Sequence, residues 1–172
     1  PRNKLVFTFW DYVRELQPTI IPLMPAIIDI LMEPTFERLS KNISKDSIRL
    51  VCSSGGRLSR SKLNWLETLF SNAWICPMYG LTEAFRSSYI PQKYYKDKRE
   101  SIGLAIPSVE LRIIDENDQE LEIGQVGELV HIGGCISAGY LGLPKDTAKR
   151  FRPLTTDPNL PCVRTGDLAF KD

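Results

Sequence analysis

Ala73-Trp-Ile-Cys-Pro-Met-Tyr-Gly-Leu-Thr-Glu83 is the stretch on which the fold turns. Ala73 to Met78 is an apolar, strand-length run that leads into Tyr79-Gly80, then a hydroxyl and a carboxylate. Open α/β sheets present ligand sites in this way, at the carboxyl ends of buried strands. Upstream, Ser59 can cap a helix on which Leu63, Leu66 and Phe70 recur at helical spacing. Before it, Ile48 to Cys52 reads as a compact strand ending in Ser53-Ser54-Gly55-Gly56. Pro25 fits the first turn of a helix with Ile27, Ile28, Leu31 and Met32 on one apolar stripe. Thr19 to Pro22 is a short β-branched strand, and Thr8 with Asp11 reads as a capping box opening a helix through Leu16. Strands alternating with helices predict a partial βαβ layer with parallel strands.

The pattern changes near Ser101. Leu111 to Asp115 is a strand, Glu116 to Gly124 is polar and turn-like, and Gly127 to Gly133 alternates as another strand. The expected organisation is an α/β part over residues 1–100, followed over 101–172 by a β-rich, barrel-like subdomain of the same domain. With 172 residues, 42% of them hydrophobic, the chain can bury a core. Its 22 basic and 21 acidic residues give no electrostatic reason to expect nucleic acid or an anionic membrane. Cys52, Cys76, Cys135 and Cys162 lie far apart with only His131 to join them, which excludes zinc-ligand spacing and argues for reduced thiols in a cytoplasmic protein. Pro18 to Ile28 is too short to span a bilayer. The chain opens on Pro1 without a methionine and ends at Asp172 after a strand-like run, so both ends are expected to be cut from something longer.

Three loops carry chemistry. In Ser53-Ser54-Gly55-Gly56-Arg57, adjacent glycines let the backbone approach a flat ligand, and a helix N-terminus follows. In Tyr79-Gly80-Leu81-Thr82-Glu83, tyrosine offers a stacking face, threonine a hydroxyl for phosphate and glutamate an oxygen for Mg²⁺. In Arg164-Thr165-Gly166-Asp167-Leu168, a carboxylate after a tight turn can accept two hydrogen bonds from vicinal hydroxyls. Taken singly, the first and third read as well as ordinary turns, and the second as a strand end with a capping Thr and a first-turn Glu.

Order and separation give the three loops their meaning. Ser-Gly-Gly at 54–56, Tyr-Gly-Leu-Thr-Glu at 79–83, Ser-Ile-Gly-Leu-Ala-Ile-Pro at 101–107 and Gly-Glu-Leu-Val-His-Ile-Gly-Gly at 127–134 are followed by Gly-Tyr-Leu at 139–141, Thr147 to Pro153 and Arg-Thr-Gly-Asp-Leu at 164–168. This series resembles the adenylate-forming (AMP-binding) superfamily of acyl-CoA synthetases, nonribosomal adenylation domains and luciferases. The chain resembles an internal fragment of the large N-terminal domain, most like the acyl-CoA synthetases. The resemblance implies that Gly55, Gly56 and Arg57 line an adenine pocket and that Tyr79 stacks on the base, with Met78, Gly80 and Leu81 completing the nucleotide contacts. Thr82 would then bond the α-phosphate, Glu83 would hold Mg²⁺, and Asp167 would bind the ribose. Ala84 and Phe85 are the implied acyl-pocket residues.

The same resemblance implies a parent ligase that activates a carboxylic acid with ATP as acyl-AMP and transfers it to coenzyme A. The alternatives are an adenylation domain loading an amino or aryl acid onto a carrier protein's phosphopantetheine arm, and a non-catalytic nucleotide-binding module. Neither the family's phosphate loop with its lysine nor the C-terminal catalytic lysine is present, so the isolated chain is expected to be inactive. His131, on an alternating strand, is expected to be a satisfied or exposed sheet residue. Trp10, Trp65 and Trp74 are expected in the core, and Lys93 to Glu100 as a solvated connection.

Overall fold

The computed structural model describes residues 2–172, with side chains from Thr8 onward. Pro1, on which the expectation of an upstream cut rests, lies outside the described residues. The chain forms two compact units, Pro1–Tyr79 with Tyr89–Gly103 and Gly80–Ser88 with Leu104–Asp172.

The first unit holds α1 (Arg2–Leu16), β1 (Ile20–Pro22), α2 (Pro25–Leu31), α3 (Pro34–Ser40), β2 (Leu50–Ser53), α4 (Arg60–Leu69) and most of β3 (Trp74–Leu81). The parallel layer is present: Ile20 pairs with Leu50, and Leu50 in turn with Trp74. Pro25 begins α2, where its missing N–H costs nothing, and Ser59 caps α4 by accepting the Lys62 N–H at 3.4 Å. The apolar stripes face inward as periodicity requires. Ile28, Leu31, Leu63 and Leu66 are fully buried, and Trp10 and Phe70 stack among them with ring centroids 6.4 Å apart. Trp65 is only half-buried, packed on the edge of this core.

Two local expectations are corrected. The first helix starts at Arg2, so Thr8 sits inside it, and Asp11 pairs with Arg14 at 2.6 Å instead of closing a capping box. The charged run at 93–100 is mostly helix α5 (Gln92–Lys98), in which no residue is fully buried. It is tied down where the Tyr95 hydroxyl donates to Glu67 at 2.8 Å and Arg99 meets both oxygens of Glu67 at 2.9 Å. Glu67 on α4 and the packing of the half-buried Tyr95 ring on the core together anchor this helix.

The second unit holds β4 (Ala84–Tyr89, less its last residue), β5 (Leu104–Ala105), β6 (Val109–Ile114), β7 (Gly127–Gly133), α6 (Pro144–Arg150) and β8 (Cys162–Ala169). Strands β6, β7 and β8 form an antiparallel sheet in that order. The β-rich expectation thus takes the form of an open three-stranded sheet; among the described residues it does not close into a barrel. Ile114, Val130, Ile132, Leu154 and Cys162 form its core. The polar turn between β6 and β7 is built by Asp115, whose carboxylate accepts the N–H groups of Asn117 and Gln119 at 2.8 Å.

Buried charge fixes this sheet. Asp118, 2% exposed, accepts the Thr155 N–H at 3.0 Å and both Arg152 and Arg164. Burial alone would raise its pKa, but the Thr155 N–H and the Arg164 guanidinium overcome that and hold it at about 2. His131 is fully buried on β7, with Nδ1 2.9 Å from the Ser87 hydroxyl and Nε2 2.6 Å from the Gly134 carbonyl. A carbonyl can only accept, so Nε2 carries the proton and Nδ1 accepts from Ser87. Burial lowers its pKa. It is a satisfied sheet residue.

All four cysteines are free thiols. No described helix is long and apolar enough to cross a membrane.

Candidate active site

The expected site residues fall on both units. On the first, Gly55, Gly56 and Arg57 form an exposed loop after β2. Gly55 has φ +85°, a conformation that L side chains resist, while a β-carbon there would meet nothing closer than Met24 at 3.9 Å. Backbone shape, not crowding, therefore demands glycine. The Arg57 guanidinium, 82% exposed, lies 4.0 Å from Glu100, a loose pairing that leaves it able to reach elsewhere. Met78 and Tyr79 are half-buried on β3.

On the second unit, the Tyr-Gly-Leu-Thr-Glu stretch is not one loop. Gly80 and Leu81 still belong to β3, Thr82 and Glu83 form a two-residue turn, and β4 starts at Ala84. No helix follows, so the reading of Glu83 as a first-turn helix residue is excluded. Gly80 is required by its neighbour strand: a β-carbon would lie 2.7 Å from the Arg86 backbone nitrogen. Thr82 is exposed at the turn's tip. Ala84 is completely buried, whereas Phe85 is 71% exposed with Arg86 5.5 Å from its ring. The structure thus separates the two implied pocket residues, one pointing into protein and one outward.

Glu83 is the most constrained of the set. Its backbone carbonyl accepts the Ser137 N–H at 2.8 Å. Its side chain, 14% exposed, accepts the Tyr140 hydroxyl at Oε1, and Arg150 Nε lies 3.6 Å from the same oxygen. The Tyr140 hydrogen bond lowers the Glu83 pKa, against the opposing effect of burial, with help from the Arg150 charge. In return Glu83 raises the Tyr140 phenol. The carboxylate is therefore ionised at neutral pH. The Glu83 backbone N–H also bonds the carboxylate. A hard anionic oxygen suits Mg²⁺, which takes one or two carboxylates and draws its other ligands from phosphate and water. The described residues contain no cluster of three or more metal-ligating side chains, so nucleotide phosphates would have to complete such a site.

The Arg-Thr-Gly-Asp-Leu stretch is likewise not a free turn. It lies inside β8, where the register with β7 shifts between Glu128 and Val130. The Thr165 hydroxyl donates to the Leu129 carbonyl at 2.6 Å and accepts the Asp167 N–H at 3.1 Å, while Glu128 takes the Gly166 N–H at 3.1 Å. These bonds hold a bulge that turns Asp167 to the exposed side. Beside it is a cavity of about 510 Å³ lined by Tyr140, Lys149, Arg150, Arg152, Arg164 and Gly166, with Glu128 and Asp146 on its wall.

Sequence reasoning gave no role to Tyr140 or Arg150. Both lie in quoted motifs, Gly-Tyr-Leu at 139–141 and Thr147 to Pro153. Neither motif suggests that its side chain turns back to a carboxylate more than fifty positions upstream.

A parallel α/β layer with a glycine loop after one strand, an anionic turn after the next, and an antiparallel sheet presenting Thr-Gly-Asp is the architecture of adenylate-forming enzyme domains. The chain belongs to the AMP-binding enzyme family, whose model matches residues 1–141. Tyrocidine synthase 3 of Brevibacillus parabrevis is 32% identical over 143 residues, 81% of this chain and 2% of that protein. The D-alanine–D-alanyl carrier protein ligase of Bacillus velezensis is 33% identical over 136 residues, 76% of this chain and 26% of that protein. Among solved structures, VinN superposes with TM-score 0.82 at 27% identity over 96% of this chain and 40% of its own. A long-chain-fatty-acid–CoA ligase from Archaeoglobus fulgidus superposes with TM-score 0.83 at 21% identity, covering 97% of this chain and 34% of its own, a likeness of fold. This chain therefore spans less than half of each of these proteins.

Proposed function

We propose that the protein carrying this chain activates a carboxylic acid with ATP and passes the acyl group to a phosphopantetheine thiol. The observation that carries the reading is Glu83, an ionised carboxylate clamped at a strand turn beside an exposed threonine hydroxyl. In the first step a carboxylate oxygen attacks the α-phosphorus, and the bond to pyrophosphate breaks. Thr82 bonds the α-phosphate, and Glu83 would hold Mg²⁺, which would supply positive charge to the phosphate oxygens. Gly55, Gly56, Arg57, Met78, Tyr79, Gly80 and Leu81 receive the base, Asp167 binds the ribose hydroxyls, and Ala84 and Phe85 border the acyl group. In the second step a thiolate displaces AMP.

Residues 1–100 and 101–172 act here as two parts of one AMP-binding domain, and the remaining phosphate contacts come from other parts of the protein. The isolated chain is accordingly inactive. Coenzyme A is the first acceptor to test. A carrier protein is the second reading, favoured because relatives above 30% identity include a carrier protein ligase.

Carboxylate-dependent ATP–pyrophosphate exchange by the complete protein tests the reading, across fatty, aryl and amino acids. One acid class should support exchange, and Asp167→Ala should weaken nucleotide binding by about ten-fold or more, the worth of a charged hydrogen bond. Thioester formation with coenzyme A or with a pantetheinylated carrier then names the acceptor. A folded complete protein that exchanges with no acid would be a non-catalytic nucleotide-binding module.

A further inference from the structure

Tyr140 and Arg150 converge on one oxygen of Glu83 from the same short segment. The Tyr140 N–H donates to the Thr147 hydroxyl at 2.9 Å, and that hydroxyl donates to the Leu143 carbonyl at 2.9 Å, fastening Tyr140 to α6. The Tyr140 ring packs edge-on against Phe151, with centroids 5.6 Å apart. Arg150, at the end of α6, is 32% exposed; its Nε is buried, makes no hydrogen bond, and faces Glu83 at 3.6 Å. The other end of its guanidinium reaches Gly166, where Nη1 lies 3.0 Å from where a β-carbon would sit. One side chain thus spans from the Thr82-Glu83 turn to the bulge that presents Asp167. The Tyr140 hydroxyl bonds Oε1, and Arg150 Nε approaches the same oxygen.

We propose that Tyr140 and Arg150 are positioning residues that fix the Glu83 carboxylate by Oε1 in the orientation in which it takes a divalent cation, and that Arg150 couples this carboxylate to the Asp167 bulge. The inference rests on the adenylation reading. It adds that metal affinity is set by two residues that touch neither metal nor nucleotide. Without the Tyr140 hydroxyl, Glu83 has several rotamers to choose from, and the metal must select one, which lowers its apparent affinity by the fraction populated.

The test uses the complete protein with Mn²⁺ as probe. Paramagnetic resonance measures Mn²⁺ bound in the presence of ATP, and calorimetry measures ATP binding in EDTA. Tyr140→Phe keeps the ring and its packing on Phe151 and should weaken Mn²⁺ binding about ten-fold while metal-free ATP binding is unchanged. Arg150→Met should weaken Mn²⁺ binding and metal-free ATP binding together, because it also frees the bulge, and Arg150→Lys should restore only the Mn²⁺ part. Mn²⁺ affinity unchanged in folded Tyr140→Phe would overturn the proposal. So would an equal fall in both measurements for that variant, which would mark general damage. A wild-type protein that binds ATP with no metal dependence would sink the adenylation reading itself and this inference with it.

Discussion

The Asp118 network makes the sharpest stability prediction. Asp118→Asn keeps the side chain's shape and removes its charge from a site 2% exposed, facing Arg164, Arg152 and the Thr155 N–H. The native pKa of about 2, against 3.8 without these partners, corresponds to roughly 2–3 kcal/mol of linked stability at neutral pH. Because the folded value is depressed, that stability is fully present above about pH 4 and disappears as pH falls through about 2. The three tryptophans all lie in the first unit and would not report on it, so amide exchange at Val130 and Ile132 is the suitable assay. At pH 7 the variant should exchange about 60-fold faster than wild type; at pH 2.5 the ratio should shrink to about four-fold. Deleting one partner of a buried pair outright costs about 3–5 kcal/mol, so Asp118→Ala, which also orphans the Thr155 N–H, should exceed the Asn variant. A ratio that stays the same at both pH values would refute the electrostatic account, even if the variant were unstable.

Three further outcomes follow from the same geometry. The one histidine gives one imidazole signal: by NMR His131 should titrate at lower pH than a free imidazole, and the second unit should lose stability as pH falls below 6.5, where the unfolded chain takes up the proton first. Replacing it with Gln should remove that pH slope, read by amide exchange on β7. Gly80→Ala drives a β-carbon to 2.7 Å from the Arg86 nitrogen and should cost about 1–3 kcal/mol with loss of nucleotide binding, measured by thermal unfolding and calorimetry. Leu66→Ala empties a fully buried position on α4 and should cost about 2–5 kcal/mol, visible as earlier urea unfolding by tryptophan fluorescence.

Signals that act within one turn of chain were legible in the sequence. Pro25 and Ser59 start their helices where their chemistry says they should, and the stripe of Leu63 and Leu66 faces the core. Strand β7 is bounded by its flanking glycines, although its burial does not alternate: Leu129 to Ile132 are buried in succession. Strand β4 was missed because its burial inverts the usual rule: Phe85 is exposed while Ser87 and Ser88 are fully buried. Ser87 can be buried because His131, forty-four positions away, pairs with its hydroxyl. Alternation measures hydrophobicity and has no access to such a partner.

The same distinction explains the site. Each candidate residue of the three loops stands out by its own type and neighbours, but the shape of each segment depends on distant chain. Thr-Gly-Asp looks like a turn because Gly166 takes φ +75°, yet it is a bulge held open by Glu128 and Leu129 on the adjoining strand. Thr82-Glu83 looks like the start of a helix because Thr caps and Glu favours the first turn. The helix would need Ala84 and Phe85 to continue inward, but Ala84 bridges to Ile136 and the Phe85 N–H donates to the Cys135 carbonyl at 3.1 Å. Those two contacts keep the chain extended after the turn, and the same segment bonds Glu83 through the Ser137 N–H and the Tyr140 hydroxyl. The geometry that holds the carboxylate is therefore specified by residues 135–140 as much as by the Thr-Glu pair itself.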